Sequence, residues 1–292
     1  MNSNIQAAFA GAVLALVTSG AQAIDIDAGD YTALPDGTNV GLLYAQHAER
    51  NRLNAHGNAV PGDNGLDSDI GILRGIHFMN IGGLIVDPQF LLPFGQLKGT
   101  GDLGPALGKG SGVADLILAA TVWVVNDAKN RTYVGITPFL YLPTGSYDVS
   151  KPLNLGENRW KYALQVGAIF PASEAVTIDL SADATAYGRN DKGDAQGQSL
   201  KQSATAQIQA FARYALTPAW DLRAGASWSH VGNQSLGGTS LDNGSNNTKF
   251  QIGTAAFVGP KTQLLATWGR DLNVDNGFRE NSRFNVRLLQ IF

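Results

Sequence analysis

The sequence predicts an all-β protein, a transmembrane up-and-down antiparallel β-barrel of about twelve strands. Three observations carry that reading. Apolar and polar residues alternate with a period of two along much of the chain, as side chains do on the two faces of a strand. The connections between these segments alternate between long and short, as extracellular loops and periplasmic turns do in an outer-membrane barrel. The last stretch, residues 281–292 (NSRFNVRLLQIF), is itself an amphipathic strand ending on an aromatic residue. There Phe284, Val286, Leu288 and Phe292 share one parity, while Arg283, Asn285 and Arg287 take the other. Lipid is the natural cover for the apolar face, which puts the arginines in a wet lumen. Gln290 departs from the pattern by sitting on the apolar parity.

Composition agrees. The chain of 292 residues has room for one large β domain, and its 35 glycines and low charge (15% Asp, Glu, Lys and Arg) suit strands and turns. A net charge of -3 gives no reason to expect a nucleic-acid partner. With no cysteine, disulfides and thiolate metal sites are excluded. Residues 5–17 (IQAAFAGAVLALV) are too short for an ordinary membrane helix and precede Ala21-Gln22-Ala23, an A-x-A cleavage pattern. Residues 1–23 therefore read as a signal peptide and 24–292 as the barrel. The missing Lys or Arg in residues 1–4 departs from the usual signal and leaves room for an upstream start codon. Beyond residue 23 no stretch approaches the roughly 20 apolar residues of a membrane helix.

Taken in order, residues 24–37 (IDIDAGDYTALPDG) are acidic and rich in turn formers, and belong at the periplasmic side or inside the lumen. Strand one covers 39–49, with Val40, Leu42 and Tyr44 on one parity, and a long polar loop follows to 65. Strands two and three cover 66–78 and 81–94, joined at Met79-Asn80 and followed by a glycine-rich loop, 95–112. Strands four (114–125) and five (131–142) flank the tight turn NDAKN, and the loop 143–158 comes next. Strand six (159–170) places Trp160, Tyr162, Leu164, Val166 and Phe170 on its apolar face. Strand seven (176–187) alternates most cleanly, with Ile178, Leu180 and Ala182 opposite Asp179, Ser181 and Asp183. Strand eight (201–214) puts Ala206, Ile208 and Ala210 outward, with Lys201, Gln207, Gln209 and Arg213 inward. Strands nine (220–231), ten (248–257) and eleven (263–271) complete the wall before the terminal strand. Long connections follow each odd strand and short ones each even strand, an order a Greek-key sandwich has no reason to adopt. Trp160, Tyr162, Tyr187, Tyr214, Trp220 and Trp228 lie near strand ends, where interfacial girdles require aromatics. Unpaired backbone groups are costly in hydrocarbon, so strand one must close on strand twelve.

Several stretches resemble the outer-membrane family described as involved in the meta-pathway of phenol degradation. They are LPDGT (34–38), LRGIHF (73–78), DPQFLLPFG (87–95), SGVADLIL (111–118), LPTGSYD (142–148), NLGENRW (154–160) and GRDLNVDNGF (269–278). The resemblance spans essentially the whole mature chain. It implies a barrel channel that helps hydrophobic or aromatic growth substrates across the outer membrane.

The outward parity fixes which charges face the lumen. Bases are Arg159, Lys161, Lys201, Arg213, Arg223, Lys249, Arg283 and Arg287, gathered mainly on strands eight to twelve. Acids are Asp69, Asp87, Asp115, Asp179, Asp183 and Asp221, mainly on strands two to four and seven. The lumen electrostatics are assigned to Arg213, Arg223, Arg283 and Arg287, opposed by Asp179 and Asp183. Two readings stand: a transverse field with weak ion preference, or charges that pair across the lumen and fill it. The expected activity is passive uptake of small organic molecules, with residues 24–37 or 95–112 narrowing the pore. The alternatives are a barrel hydrolase, with His47, His56, His77 and His230 as candidate groups and Ser227 or Ser229 near the last, and a plugged structural barrel. Neither serine lies in a nucleophile elbow. GPALGKGS is not a P-loop, because Leu103 stands where the first Gly is needed. The run Asp271-x-Asn273-x-Asp275 lacks the calcium-loop Gly and Glu. No cofactor or metal is expected. The expected partners are outer-membrane lipid, lipopolysaccharide and small organic solutes, with the protein a monomer.

Overall fold

Period-two segments bury their backbone polar groups only by pairing with one another, and here the pairing closes on itself. The structure, a computed structural model, describes residues 25–292; the predicted signal sequence lies outside them. The wall begins with β1 (Asn39–Glu49), β2 (Asn64–His77), β3 (Leu84–Gly101) and β4 (Ile117–Asp127). It continues with β5 (Thr132–Tyr141), β6 (Lys161–Pro171), β7 (Val176–Tyr187) and β8 (Thr205–Thr217). It ends with β9 (Trp220–Val231), β10 (Ser245–Phe257), β11 (Thr262–Val274) and β12 (Ser282–Ile291). Each strand pairs antiparallel with its sequence neighbour. β1 then pairs with β12 from Val40↔Ile291 to Glu49↔Ser282, closing a 12-stranded barrel without a free edge. In hydrocarbon that closure is obligatory, since an open edge would leave a row of N–H and C=O groups without partners.

Long and short connections alternate as the sequence implies. Residues 128–131, 172–175 and 218–219 make tight turns at one end, and the long loops gather at the other. Two small sheets stiffen those loops: Leu200–Gln202 with Gln234–Leu236 and Thr239–Ser240, and Gly277–Arg279 with Arg52–Ala55 and Asn58–Ala59. The apolar face of β6 to β9 and β12 points outward as read: Leu164, Ile208, Phe284 and Val286 are each more than half exposed. Trp160, Tyr162 and Trp228 ring the loop end, and Tyr214 and Trp220 the turn end.

Several expectations are corrected. Val40, Leu42 and Tyr44 point into the barrel, and Leu43 takes the lipid face. Ile72 and Ile76 of β2 also face inward, so both faces of this part of the wall are apolar. Asp69 consequently lies on the outer face, where its carboxylate meets His47 Nδ1 at 2.6 Å and Gln96 Nε2 at 2.8 Å. Lys201 is exposed in the loop sheet, because β8 starts only at Thr205. Tyr187 turns inward, its hydroxyl donating to Thr205 Oγ1 at 2.9 Å, and is no part of the girdle. Residues 95–112 do not fold into the pore. β3 runs on to Gly101 and pairs with Lys109–Val113, so this stretch prolongs the wall as a hairpin tipped by the short helix Gly104–Leu107.

Candidate functional site

The interior is set by the segment before β1. Residues 25–38 run down inside the barrel from the level of Lys249 and Arg283 to the turn end, where Gly37 N–H donates to Phe78 O (2.8 Å). Its sequence, D-I-D-A-G-D-Y, alternates carboxylates with small or apolar groups, and each carboxylate meets bases of the wall. Asp25 Oδ2 accepts from Arg283 Nη1 (2.7 Å) and Lys249 Nζ (3.2 Å), while Oδ1 accepts from Gln207 Nε2 (2.9 Å). Asp27 Oδ2 takes Arg287 Nη1 at 3.0 Å. Asp30 bridges Arg287 Nη1 (2.8 Å) and Arg74 Nη1 (3.1 Å). Burying three carboxylates is costly, and it is tolerated because guanidinium groups supply both opposite charge and directed hydrogen bonds.

The expected lumen residues fall around this segment. Arg283, Arg287 and Arg223 are buried, and Arg213 is half-buried. Arg213 Nε donates to Asp179 Oδ2 (2.7 Å), and the other oxygen of Asp179 accepts from Gly29 N–H (2.7 Å). Arg223 forks onto Asp221 (2.8 and 2.7 Å) and also donates to Ala28 O (2.7 Å). Asp183 accepts from Gln165 Nε2 at 3.3 Å. Of the further acids, Asp87 caps Thr121 N–H (2.7 Å), and Asp115 accepts from Gly145 and Glu157 N–H (2.9 and 3.0 Å). The residues that sequence reasoning missed are Asp25, Asp27, Asp30, Tyr31 and Arg74. A signal existed: three acids within six residues beside a wall of bases on β8 to β12.

Below the ion pairs, Ile26, Ala28 and Tyr31 pack with Val40, Leu42, Trp123, Tyr133 and Phe211 into an apolar core that narrows the barrel toward the turn end. Above them lies a cavity of about 460 Å³. One side of it, from β2 to β4, is mainly apolar (Leu66, Ile70, Ile72, Leu91, Pro93, Leu97, Ile117), with Ser68 and Arg74 of β2 among these residues. The side formed by β10 to β12 is polar (Asn247, Gln251, Thr267, Asn285). Toward the loops, Leu66 and Leu97 continue into a second apolar cluster with Leu53, Leu103, Leu107, Leu153 and Phe278. At the rim Glu157 holds Arg159 Nη2 (2.6 Å) and Lys161 Nζ. Burial opposes its ionisation, but Lys161 and Arg159 outweigh that and hold its carboxyl down to about 2.

The histidines stand apart from this cavity. His47 and His230 lie on the outer face, His230 against Asn246 Oδ1 (3.0 Å), and His77 against Asn39 (2.8 Å). His56 is exposed in a loop. Ser227 and Ser229 occupy the parity of β9 opposite to His230, so strand geometry separates the proposed pair.

Comparison with known proteins agrees with this architecture. Residues 50–288 match the family described as MetA-pathway of phenol degradation. Among solved structures, an outer membrane channel from Pseudomonas putida F1 is 38% identical, with a TM-score of 0.88 over 92% of this chain and 100% of that one. The beta domain of the Bordetella autotransporter BrkA (11% identity, TM-score 0.52, 88% and 100% covered) shares the fold alone. So does the translocator domain of the autotransporter NalP from Neisseria meningitidis (14%, 0.50, 99% and 96%). A search of curated proteins finds no match. On the extent of the family match and the identity to the Pseudomonas channel, the chain is an outer-membrane β-barrel of the bacterial MetA-pathway of phenol degradation family.

Proposed function

We propose that the protein is an outer-membrane channel for passive uptake of small hydrophobic molecules, aromatic ones among them, with its own N-terminal segment seated in the pore. The observation that carries this reading is the cavity of about 460 Å³ with an apolar wall on β2 to β4, continuous with the apolar loop cluster above it. A hydrophobic solute gains roughly 25 cal/mol for each Å² it buries on such a wall. The lumen charges act as the latch of the N-terminal segment: Arg283, Arg287, Arg74 and Lys249 hold Asp25, Asp27 and Asp30. Arg213 and Arg223, with Asp179 and Asp183, fix the wall around it. The protein acts as a monomer among lipid and lipopolysaccharide, and no covalent step enters the reading. The Pseudomonas protein, described as an outer membrane channel, supports it by likeness.

The barrier to hydrophobic solutes is the lipopolysaccharide leaflet, so the test is made in cells. Initial uptake of radiolabelled toluene at micromolar concentration is compared in a bacterial host with and without the protein. Faster toluene entry without faster disaccharide entry is expected. Equal toluene rates, with folded protein verified in the outer membrane, would sink the proposal.

A further inference from the structure

Tyr31 of the N-terminal segment sits in a slot that the wall builds from two successive rungs of the β5–β6 ladder. Gly135 and Gly167 face each other across that ladder and leave its inward face flat, and a Cβ on either would run into the Tyr31 ring. Glycine is unfavourable inside strands, so two facing glycines mark a place built for close approach. Trp123 closes one side, edge-on to the ring, with centroids 5.7 Å apart and planes at 72°. The next rung pairs Thr137 with Gln165, on the same inward face. Tyr31 Oη donates to Gln165 Oε1 at 2.9 Å and lies 3.0 Å from Thr137 Oγ1. Gln165 is held by its other end: its Nε2 donates to Asp183 Oδ2 (3.3 Å), which leaves the amide oxygen aimed at the hydroxyl. One rung receives a planar ring and the next receives an O–H.

The wall half of this arrangement belongs to rigid strands, and the occupant does not. Tyr31 belongs to no strand, and it follows Asp30, which lines the floor of the cavity. Its side chain is a para-alkyl phenol. Through Asp30 the slot is joined to the cavity that opens toward the loops, and it is shaped for a molecule of the occupant's own kind. We propose that this slot is a binding subsite for un-ionised phenols on the solute path, filled at rest by the protein's own tyrosine. A phenol entering from the cavity competes with Tyr31 for the ring space and for the Gln165 acceptor, and its binding favours release of the segment. The inference rests on the channel reading above and adds a solute class to it. A site built around an acceptor discriminates against analogues that leave the acceptor unpaired. Toluene has the ring without the hydroxyl, and cyclohexanol the hydroxyl without the planar ring.

The test uses the full-length mature protein, folded in lipid vesicles, in two measurements. Hydrogen exchange of residues 25–38 is followed in the wild type with phenol, toluene or cyclohexanol at equal free concentration. Phenol is expected to speed exchange several-fold and the other two to leave it near the baseline. Binding of the same three compounds to Tyr31→Ala is then measured by calorimetry, with phenol expected to bind about 10-fold more tightly than either analogue. Adding Gln165→Leu should erase that preference. Where Tyr31→Ala does not fold, Tyr31→Phe replaces it: the ring stays, the hydroxyl bond goes, and phenol should speed exchange at a lower concentration than in the wild type. The proposal is overturned if phenol leaves wild-type exchange unchanged, even where Tyr31→Ala binds it, because the slot then serves only to seat the segment. Equal affinity of Tyr31→Ala for phenol and toluene overturns it as well. Failure of the channel reading itself shows elsewhere, in the cellular uptake of toluene, which does not depend on the acceptor.

Discussion

Arg287 ties two carboxylates of the N-terminal segment to the barrel wall. Its Nη1 reaches Asp27 Oδ2 (3.0 Å) and Asp30 Oδ1 (2.8 Å), and its Nη2 reaches Gln263 Oε1 (2.8 Å), in a position only 3% exposed. Replacing it with Met keeps the bulk and leaves two carboxylates short of a partner. Breaking a buried pair from one side costs about 3–5 kcal/mol, and here the cost falls on the docking of residues 25–38 rather than on the ladder. Arg287→Met should therefore raise hydrogen exchange of that segment by orders of magnitude while strand exchange stays slow. Unchanged protection of the segment would show that Arg287 does not latch it. Glu157 gives a pH-dependent counterpart at the rim. Its carboxyl lies at about 2 against an ordinary 4.5, held there by Lys161 and Arg159 against burial. A lowered folded value means that the stabilisation is complete above about pH 4.5 and is lost as the pH falls through 2. Protection of residues 143–160 should follow that course in the wild type, and Glu157→Gln should flatten it. A wild-type transition near pH 6 would contradict the cause assigned here.

At the scale of elements, the N-terminal segment and the wall make separable demands. The segment is fixed by carboxylates and the barrel by its ladders, so neutralising Asp25, Asp27 and Asp30 together to Asn should free the first and spare the second. Single-channel conductance of the triple variant should rise several-fold over wild type with the unfolding transition unmoved. A conductance that stays at the wild-type level would mean the apolar core around Tyr31 holds the segment unaided. The wall has its own test on the lipid face of β8. Ala210 is near the middle of that strand, whereas Ala206 is its second residue. Arg at the first should cost roughly 2–4 kcal/mol and at the second about 0–1, because the penalty fades toward the interface. Equal costs in vesicle unfolding titrations would refute the placement of β8 in the bilayer.

For the molecule as a whole, what could be read from sequence depended on what each face touches. Along β6 to β9 and β12 one face meets lipid and the other meets polar lumen, so period two alternation identifies both. Along β1 and β2 the inner face packs on Ile26, Tyr31 and their neighbours, so the apolar parity of Val40, Leu42 and Tyr44 faces the barrel interior with Ile72 and Ile76, and not lipid. Asp69 was assigned inward by the same rule and fails for the same reason. The bases were legible as a cluster, but their partners were not. Arg283 pairs with a carboxylate 258 positions away and Arg287 with one 260 away, and local patterning carries no information at that range.

That same two-sidedness gives the lumen a division of labour that can be tested. The apolar wall of β2 and β3 offers a solute burial without hydrogen bonds, and the polar wall of β10 to β12 keeps water and ions in contact with the other side. Ile70 and Leu91 lie on the apolar wall of the cavity, and neither belongs to the latch or to the Tyr31 slot. Replacing both with Asn puts amides where a hydrophobic solute would have to cover them, at a cost of about 1–3 kcal/mol for each one left unpaired. Cellular toluene uptake should fall by roughly tenfold or more. Ion conductance, measured in the background carrying the three Asp→Asn changes, should stay within about twofold, since the polar wall is intact. Loss of both together would mean that solutes and ions share one undivided path, and that the apolar wall has no separate part in uptake.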